Sequence, residues 1–388
     1  MTVYNFDIPI ERRTTHSTKW NWFAEDVLPM WVADMDFVSP EPVIRALRQR
    51  ADHGVYGYQF DSPPLRALIV DRLAQRHAMH IDPSHIIFLP GLVVALNLIC
   101  RAFGDMGAGV IAAPPIYPPF LSAPGNGGRV LQSAPMIEWR EGSVIRCQFD
   151  FDALEAAITP QSKIFLLCNP HNPTGRVFTR AELEQIGAFA LKHDLLIVSD
   201  EIHCDLVFAP NQHISIASIS PEIANRTITL IAPSKTFNVA GLSCGMAVIP
   251  NDDLRAKLMG MVWANGAFVN LMGFTAAEAA YRDGQEWLDH VLAYLADNRD
   301  YVSAYVRDNM PDAAVTHNEG TYLAWIDFSR YDLPVSPQQF FLEHAKVGLN
   351  DGATFGTGGE GHVRLNFACP RSLLEVGLDR MCRSLKSR

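Results

Sequence analysis

The chain has 388 residues, more than one hydrophobic core ordinarily serves, so two domains are expected. Hydrophobic residues make up 48% and charged residues 19%, the balance of a folded enzyme rather than a disordered chain. A formal net charge of −10 argues against a nucleic-acid groove or an anionic membrane as the main partner. The N-terminal stretch has no basic segment followed by an apolar one, so no secretory signal is expected there. No uninterrupted apolar run approaches the ~18 residues of a spanning helix. Seven cysteines, odd in number, scattered and without a Cys-x-x-Cys pair, fit a reduced cytoplasmic setting and not a zinc site.

Residues 1–40, rich in tryptophan and turn residues, read as an extended arm. A helix starts after Ser39, with proline early and Gly54 beyond its end, and a second follows Pro64 with Leu65, Leu68, Ile69 and Leu73 on one face. From about residue 84 short apolar strands alternate with helices. The strands are expected at 86–89, 109–113, 163–168, 195–199, 227–231 and 245–249. Thr179-Arg-Ala-Glu182 ahead of Leu183, Ile186 and Phe189 is a capping box opening an amphipathic helix. This alternation predicts an α/β domain on a mostly parallel sheet. After residue 250 the pattern turns helical, with a long helix over 285–309. Strands near 314–317, 322–328 and 362–367, a helix from Ser336 and a C-terminal helix complete an α+β end.

In open α/β sheets ligands gather beyond the carboxyl ends of the strands. Gly91 and Leu92 after the first strand open a helix whose free N–H groups suit a phosphate. Tyr117 follows the second strand, Asn172 the third, Asp200 the fourth, and Ser234-Lys235 the fifth. Each residue has an ordinary structural explanation: turn chemistry for Asn172, a helix cap for Asp200, packing for Tyr117, a surface loop for Lys235. Their joint placement at strand ends asks for more. Pyridoxal phosphate needs a lysine for its aldehyde, an acid for its pyridine nitrogen, a stacking face, a donor for its phenolic oxygen and an anion cradle. These residues supply all five.

The segments Asn-Pro-His-Asn-Pro-Thr-Gly at 169–175, Ser-Asp-Glu-Ile-His at 199–203 and Pro-Ser-Lys-Thr-Phe-Asn-Val-Ala-Gly-Leu at 233–242 resemble the class I/II aminotransferase superfamily of fold type I. More narrowly, Trp31-Val-Ala-Asp-Met-Asp-Phe37 and His53-Gly-Val-Tyr-Gly-Tyr58 resemble the MalY/PatB-type cystathionine β-lyases, or C–S lyases. The similarity runs from about Phe6 to the end. It implies a large domain over 46–280 with a mostly parallel seven-stranded sheet between helices. A smaller α+β domain over 281–388 and an arm over 1–45 contributing to it complete the fold.

The resemblance also implies roles. Lys235 would hold pyridoxal 5'-phosphate as a Schiff base and move the substrate's Cα proton. Asp200 would pair with the pyridine nitrogen, Asn172 with the phenolic oxygen, and Tyr117 would stack on the ring. Arg364 would clamp the substrate carboxylate, with Tyr117, Ala33 and Asp34 also at the substrate. Gly91, Leu92 and Ser234 would hold the phosphate, reached across a homodimer interface by the partner subunit's Tyr58, which joins the catalytic set. Two departures stand out: Ser243 replaces the superfamily's phosphate-binding arginine, and His203 replaces the tyrosine that supports the phenolic oxygen.

The implied reaction is β-elimination of a thiol from L-cystathionine or related cysteine S-conjugates, giving pyruvate and ammonia. The alternatives are a class I/II aminotransferase and a cofactor-binding regulatory protein that acts through a protein partner. Ser234-Lys235 lacks the spacing of a Ser-x-x-Lys hydrolase, and no Gly-x-Ser-x-Gly elbow occurs.

Overall fold

The computed structural model describes residues 4–387; residues 1–3 of the expected arm and residue 388 lie outside the described residues. Besides a short parallel pair, Leu28–Pro29 with Val347–Gly348, the strands of the two larger sheets are, in chain order, β1 (Ile86–Leu89), β2 (Gly109–Ala112), β3 (Val130–Ser133), β4 (Ile137–Glu141), β5 (Val144–Gln148), β6 (Ser162–Cys168), β7 (Leu196–Asp200), β8 (Thr227–Ile231) and β9 (Gly245–Val248). Beyond them lie β10 (Ala314–Thr316), β11 (Leu323–Asp327), β12 (Asn350–Asp351) and β13 (His362–Asn366). The main helices are α1 (Glu41–Asp52), α2 (Pro63–His77), α3 (Leu92–Ala102), α4 (Arg180–Lys192), α5 (Asp252–Ala264), α6 (Leu271–Asp283), α7 (Gln285–Asn309) and α8 (Arg371–Lys386).

The larger sheet has seven strands in the order β1-β9-β8-β7-β6-β2-β3. β9 runs antiparallel to both its neighbours, and the remaining pairs are parallel. Because side chains alternate along a strand, a sheet covered on both faces must be apolar at every position. β6 shows this directly. Ile164, Leu166 and Cys168 enter the core shared with α3 and α5, while Phe165 and Leu167 enter the opposite core under α4. The predicted capping box at the start of α4 is formed: Thr179 Oγ1 accepts from Glu182 N and Glu182 Oε2 accepts from Thr179 N.

The seventh strand, β3, was not among the six expected from the sequence. It lies at the sheet edge, with Val130 and Ser133 exposed, so it lacks the apolar run that marks its neighbours. The hairpin of β4 and β5 was not expected either. It joins a second sheet of order β12-β13-β11-β10-β5-β4, so residues 137–148 pair with strands from the C-terminal end of the chain. In this sheet Arg364 of β13 stands between Trp325 of β11 and Asn350 of β12.

The arm is tied down by charge and by backbone contacts. Asp36 is buried and accepts from Lys19 Nζ (2.7 Å), Trp20 Nε1 (2.8 Å) and Arg12 Nη1 (2.5 Å). These partners hold its carboxyl below the usual range despite burial, which acts the other way. Farther on, Asn238 clasps the arm: its Oδ1 accepts from Met35 N (2.9 Å), and its Nδ2 donates to Met35 O (3.0 Å) and Phe37 O (2.8 Å). Asn238 has φ 55°, a left-handed conformation that asparagine tolerates better than alanine. Asn238→Ala removes three hydrogen bonds and adds backbone strain, and is expected to destabilise the protein by about 3 kcal/mol. Urea unfolding with an unchanged slope and a lower midpoint checks this; an unchanged midpoint contradicts it.

Candidate active site

Five parallel or neighbouring strands end on one side of the larger sheet, and a cavity of about 280 Å³ lies there. Its wall includes Ala33, Gly91, Leu92, Tyr117, Asn172, Asp200, His203, Ser234, Lys235 and Ser243. Residues read from separate strand ends, from Gly91 to Lys235, thus share one wall.

Each is positioned by a local reason. Asp200 is the last residue of β7 and pairs with Cys168 of β6 and Leu230 of β8, so its side chain emerges where the sheet stops. Its Oδ1 accepts from Ile202 N at 3.0 Å. Burial pushes its carboxyl up to about 7, against that hydrogen bond and the nearby Lys235 charge. Lys235 follows β8 in a short helical turn, Pro233–Thr236, and its Nζ donates to Ala33 O at 2.6 Å. Burial lowers its amine to about 8, aided by the Arg364 charge. An amine so depressed is partly neutral at physiological pH, the state needed for attack on a carbonyl.

Gly91 has φ 149°, in the region that favours glycine, and caps α3. The first-turn N–H groups of α3 have no intrahelical acceptor, and Leu92, Val93 and Val94 carry them into the cavity wall. Ser243 also lies on this wall with φ 52°. Among the described residues lining the cavity, no arginine stands beside Gly91, Ser234 and Ser243.

Tyr117 and Asn172 are held as a pair, since Tyr117 N donates to Asn172 O at 3.1 Å. Burial raises the Tyr117 phenol above its ordinary value. Asn172 Oδ1 accepts from Arg364 Nη1 at 2.9 Å. Arg364 is buried; its Nη2 donates to Asn350 Oδ1 (2.7 Å) and Trp31 O (3.1 Å), while its Nε has no partner. Desolvation lowers this guanidinium to about 10. His203 is buried with Nδ1 unpartnered, and burial lowers its imidazole to about 3, so the ring is neutral. A buried guanidinium N–H and a buried imidazole nitrogen without partners are costly unless a ligand meets them.

Tyr58 stands apart. It is 95% exposed, stacks on Phe60, and does not line the cavity of its own chain. Several contributors were not singled out from the sequence. Asn238 and Asn366 fix the Val32–Met35 segment, Asn366 through Nδ2 to Val32 O and Asp34 O, and Tyr322 donates to Ala33 O at 3.0 Å. Nothing local marks these residues, because each acts on backbone far away in sequence.

The strand order and the lysine-centred cavity belong with one protein class. Residues 25–381 match the family described as Aminotransferase class I and II, and the chain belongs to that family. Within it the chain is 39% identical to cystathionine beta-lyase PatB of Bacillus subtilis, over 97% of this chain and 98% of that protein. It is 31% identical to protein MalY of Escherichia coli, over 99% of this chain and 100% of that one. The crystal structure of cystalysin from Treponema denticola, which contains pyridoxal 5'-phosphate, superposes with a TM-score of 0.94 at 33% identity, covering 100% of each chain.

Proposed function

We propose that this protein is a pyridoxal phosphate-dependent carbon–sulfur β-lyase acting on L-cystathionine or related cysteine S-conjugates. The observation that carries the reading is the meeting of Lys235, Asp200, Asn172 and Tyr117 on one cavity wall. Relatives named as cystathionine β-lyases favour elimination over transamination. The donor set fits the cofactor: an amine lowered toward neutrality, a carboxyl at the sheet end, unpartnered buried nitrogens, and a helix N-terminus for the phosphate.

Bound pyridoxal phosphate supplies a conjugated ring that accepts the electron pair left at the substrate's Cα. Lys235 would hold the cofactor covalently, and its Nζ, when free, would take the substrate's Cα proton. Asp200 keeps a proton on the pyridine nitrogen through a charge-assisted hydrogen bond. Asn172 would supply Nδ2 as a donor to the phenolic oxygen, and Tyr117, on the same wall as His203, would offer a stacking face for the ring. Gly91, Leu92 and Ser234 hold the phosphate. Arg364 orients the substrate carboxylate with its planar fork, and Ala33 and Asp34 line the substrate's path. The Cβ–S bond would break with its electron pair on sulfur, the proton held on Lys235 Nζ would pass to the thiolate, and the released enamine would take up water to give pyruvate and ammonia.

A homodimer completes the site on this reading, the partner subunit's Tyr58 reaching the phosphate. Support comes from the exposed Val55, Tyr56, Tyr58 and Phe60, with Val93, Val94 and Trp263 also exposed. Seven free, buried cysteines support a reducing, cytoplasmic setting. No helix among the described residues is long and apolar enough to cross a membrane.

The test is incubation of the holoenzyme with L-cystathionine and no keto-acid acceptor. Pyruvate and thiol should appear in equal amounts. Amino transfer to 2-oxoglutarate, with no pyruvate in its absence, overturns the reading in favour of an aminotransferase.

Asp200 also carries a pH signature. In the folded chain its carboxyl titrates near 7, and in the unfolded chain near the ordinary value of about 4. Between these values the folded state binds the extra proton, so stability falls as pH rises and levels above about 7. In cofactor-free protein, urea melts of wild type against Asp200→Asn should show the wild type losing up to about 1.4 kcal/mol per pH unit across that window, relative to the variant. A difference independent of pH contradicts the assignment.

A further inference from the structure

Lys235 stands at the boundary between two spaces. The cofactor cavity lies on one side, and a second cavity of about 530 Å³, walled largely by the arm, adjoins it; Ala33, Lys235 and Ala240 line both. At this boundary two donors converge on one oxygen. Ala33 O accepts from Lys235 Nζ at 2.6 Å and from the Tyr322 hydroxyl at 3.0 Å. A carbonyl oxygen has two lone pairs and nothing to donate, so both contacts form together and the hydroxyl is the donor in its own.

Tyr322 is 1% exposed and lines neither cavity. Its ring packs edge-on against His203, with 5.9 Å between centroids. Burial raises the phenol far above its ordinary value, so the hydroxyl keeps its proton at every working pH. Its influence on Lys235 therefore runs through Ala33 O. Two effects oppose each other there. Anchorage fixes the carbonyl, strengthens the bond from Nζ and favours the ammonium. Competition does the reverse: a second donor draws on the same oxygen, and the positive end of the O–H dipole lies near Nζ.

Anchorage is already supplied by other residues. Asn366 Nδ2 donates to Val32 O (2.6 Å) and Asp34 O (2.7 Å), on either side of Ala33, and Lys19 Nζ reaches Asp34 O at 3.2 Å. Competition is therefore the larger effect. Of the charges facing Lys235, Arg364 of β13 opposes the ammonium, while Asp34 of the arm and Asp200 of β7 favour it. Burial keeps the His203 ring, the Tyr117 phenol and the Cys168 and Cys244 thiols neutral. Among the described residues, Tyr322 alone shares the amine's acceptor. We propose that Tyr322 is a positioning residue: by sharing Ala33 O with Lys235, it leaves the free amine a docking point without holding it in the charged form. The proposal rests on the reading of Lys235 as the base for the Cα proton, since an ammonium has no lone pair to take one.

Tyr322→Phe keeps the ring and removes the hydroxyl. In the full-length protein freed of cofactor, competitive acetylation of Lys235 by acetic anhydride over a pH series, read by mass spectrometry, follows the amine's titration without any turnover. Tyr322→Phe should titrate about half a unit above wild type, the size of a roughly 10–30% change in a charge-assisted hydrogen bond together with the lost dipole. With 3-fluorotyrosine placed at position 322, a stronger donor of nearly the same shape, Lys235 should titrate below wild type. A packing defect would not reverse sign between the two, and the fluorotyrosine comparison stands by itself if Tyr322→Phe does not fold. In the holoenzyme, the acid limb of kcat against pH should move up in Tyr322→Phe by the same amount. Equal titration in all three proteins overturns the proposal, as does a fall in Tyr322→Phe, which would make anchorage the larger effect. A labelling shift with an unmoved acid limb would leave the role of Tyr322 standing and place the Cα base elsewhere. Absence of pyruvate in every form would defeat the lyase reading and leave the labelling result untouched.

Discussion

Lys235→Ala is expected to lower kcat/KM on the order of 10⁴-fold or more, because one side chain performs two tasks. On the proposed reading its Nζ is both the attachment point for the cofactor and the base for the Cα proton, and among the described residues no second amine lines the cavity. The variant should still fold. Lys235 gives only one hydrogen bond, to Ala33 O, and that carbonyl keeps Tyr322 as a donor. Removing a buried, desolvated amine relieves rather than creates a penalty. Steady-state rates with L-cystathionine, alongside a thermal melt, check both halves. Activity within tenfold of wild type would mean that the chemistry lies elsewhere.

Asp200→Ala is the second large effect. Among the described residues Asp200 is the sole acidic side chain lining the cavity, and on the reading above it opposes the ring nitrogen. Without it the proton on that nitrogen loses its partner in a site of low dielectric, where such a contact counts for much more than in water. A fall in kcat of about 10²–10³-fold is expected, the size seen when one preorganised electrostatic partner is removed. Asp200→Asn should behave similarly, since the amide keeps the shape and loses the charge. KM should change far less than kcat, because on the proposed reading Arg364 and the arm would still receive the substrate. A variant altered mainly in KM would assign Asp200 to substrate binding instead.

Sequence reasoning reached the strand ends because a sheet buried on both faces leaves a continuous apolar run and then stops. Thr227–Ile231 followed by Ser234 and Lys235 is such a case, and β8 with its lysine lies as expected. The helix over Gln285–Asn309 was legible for the related reason that its apolar positions recur with a helical period. Edge strand β3 and the hairpin of β4 and β5 were not. Half of their side chains face solvent, and their pairing partners lie far away in the chain.

The polar scaffold of the site was similarly out of reach. Asn238 and Asn366 bond to the arm's backbone, which any residue offers, so no pattern of side chains betrays the contact. The arm itself, read as an extended segment, supplies the carbonyl that meets Lys235 and part of the wall of the second cavity. The role proposed for Tyr58 would cross a subunit boundary, so a single chain, where Tyr58 is exposed, does not display it.

The most direct measurement is to reduce the purified holoenzyme with borohydride, digest it and locate the cofactor by mass spectrometry. The account predicts one modified peptide, carrying the reduced pyridoxyl group on Lys235. A modified peptide centred on any other lysine, or no modification of protein that retains activity, would contradict it.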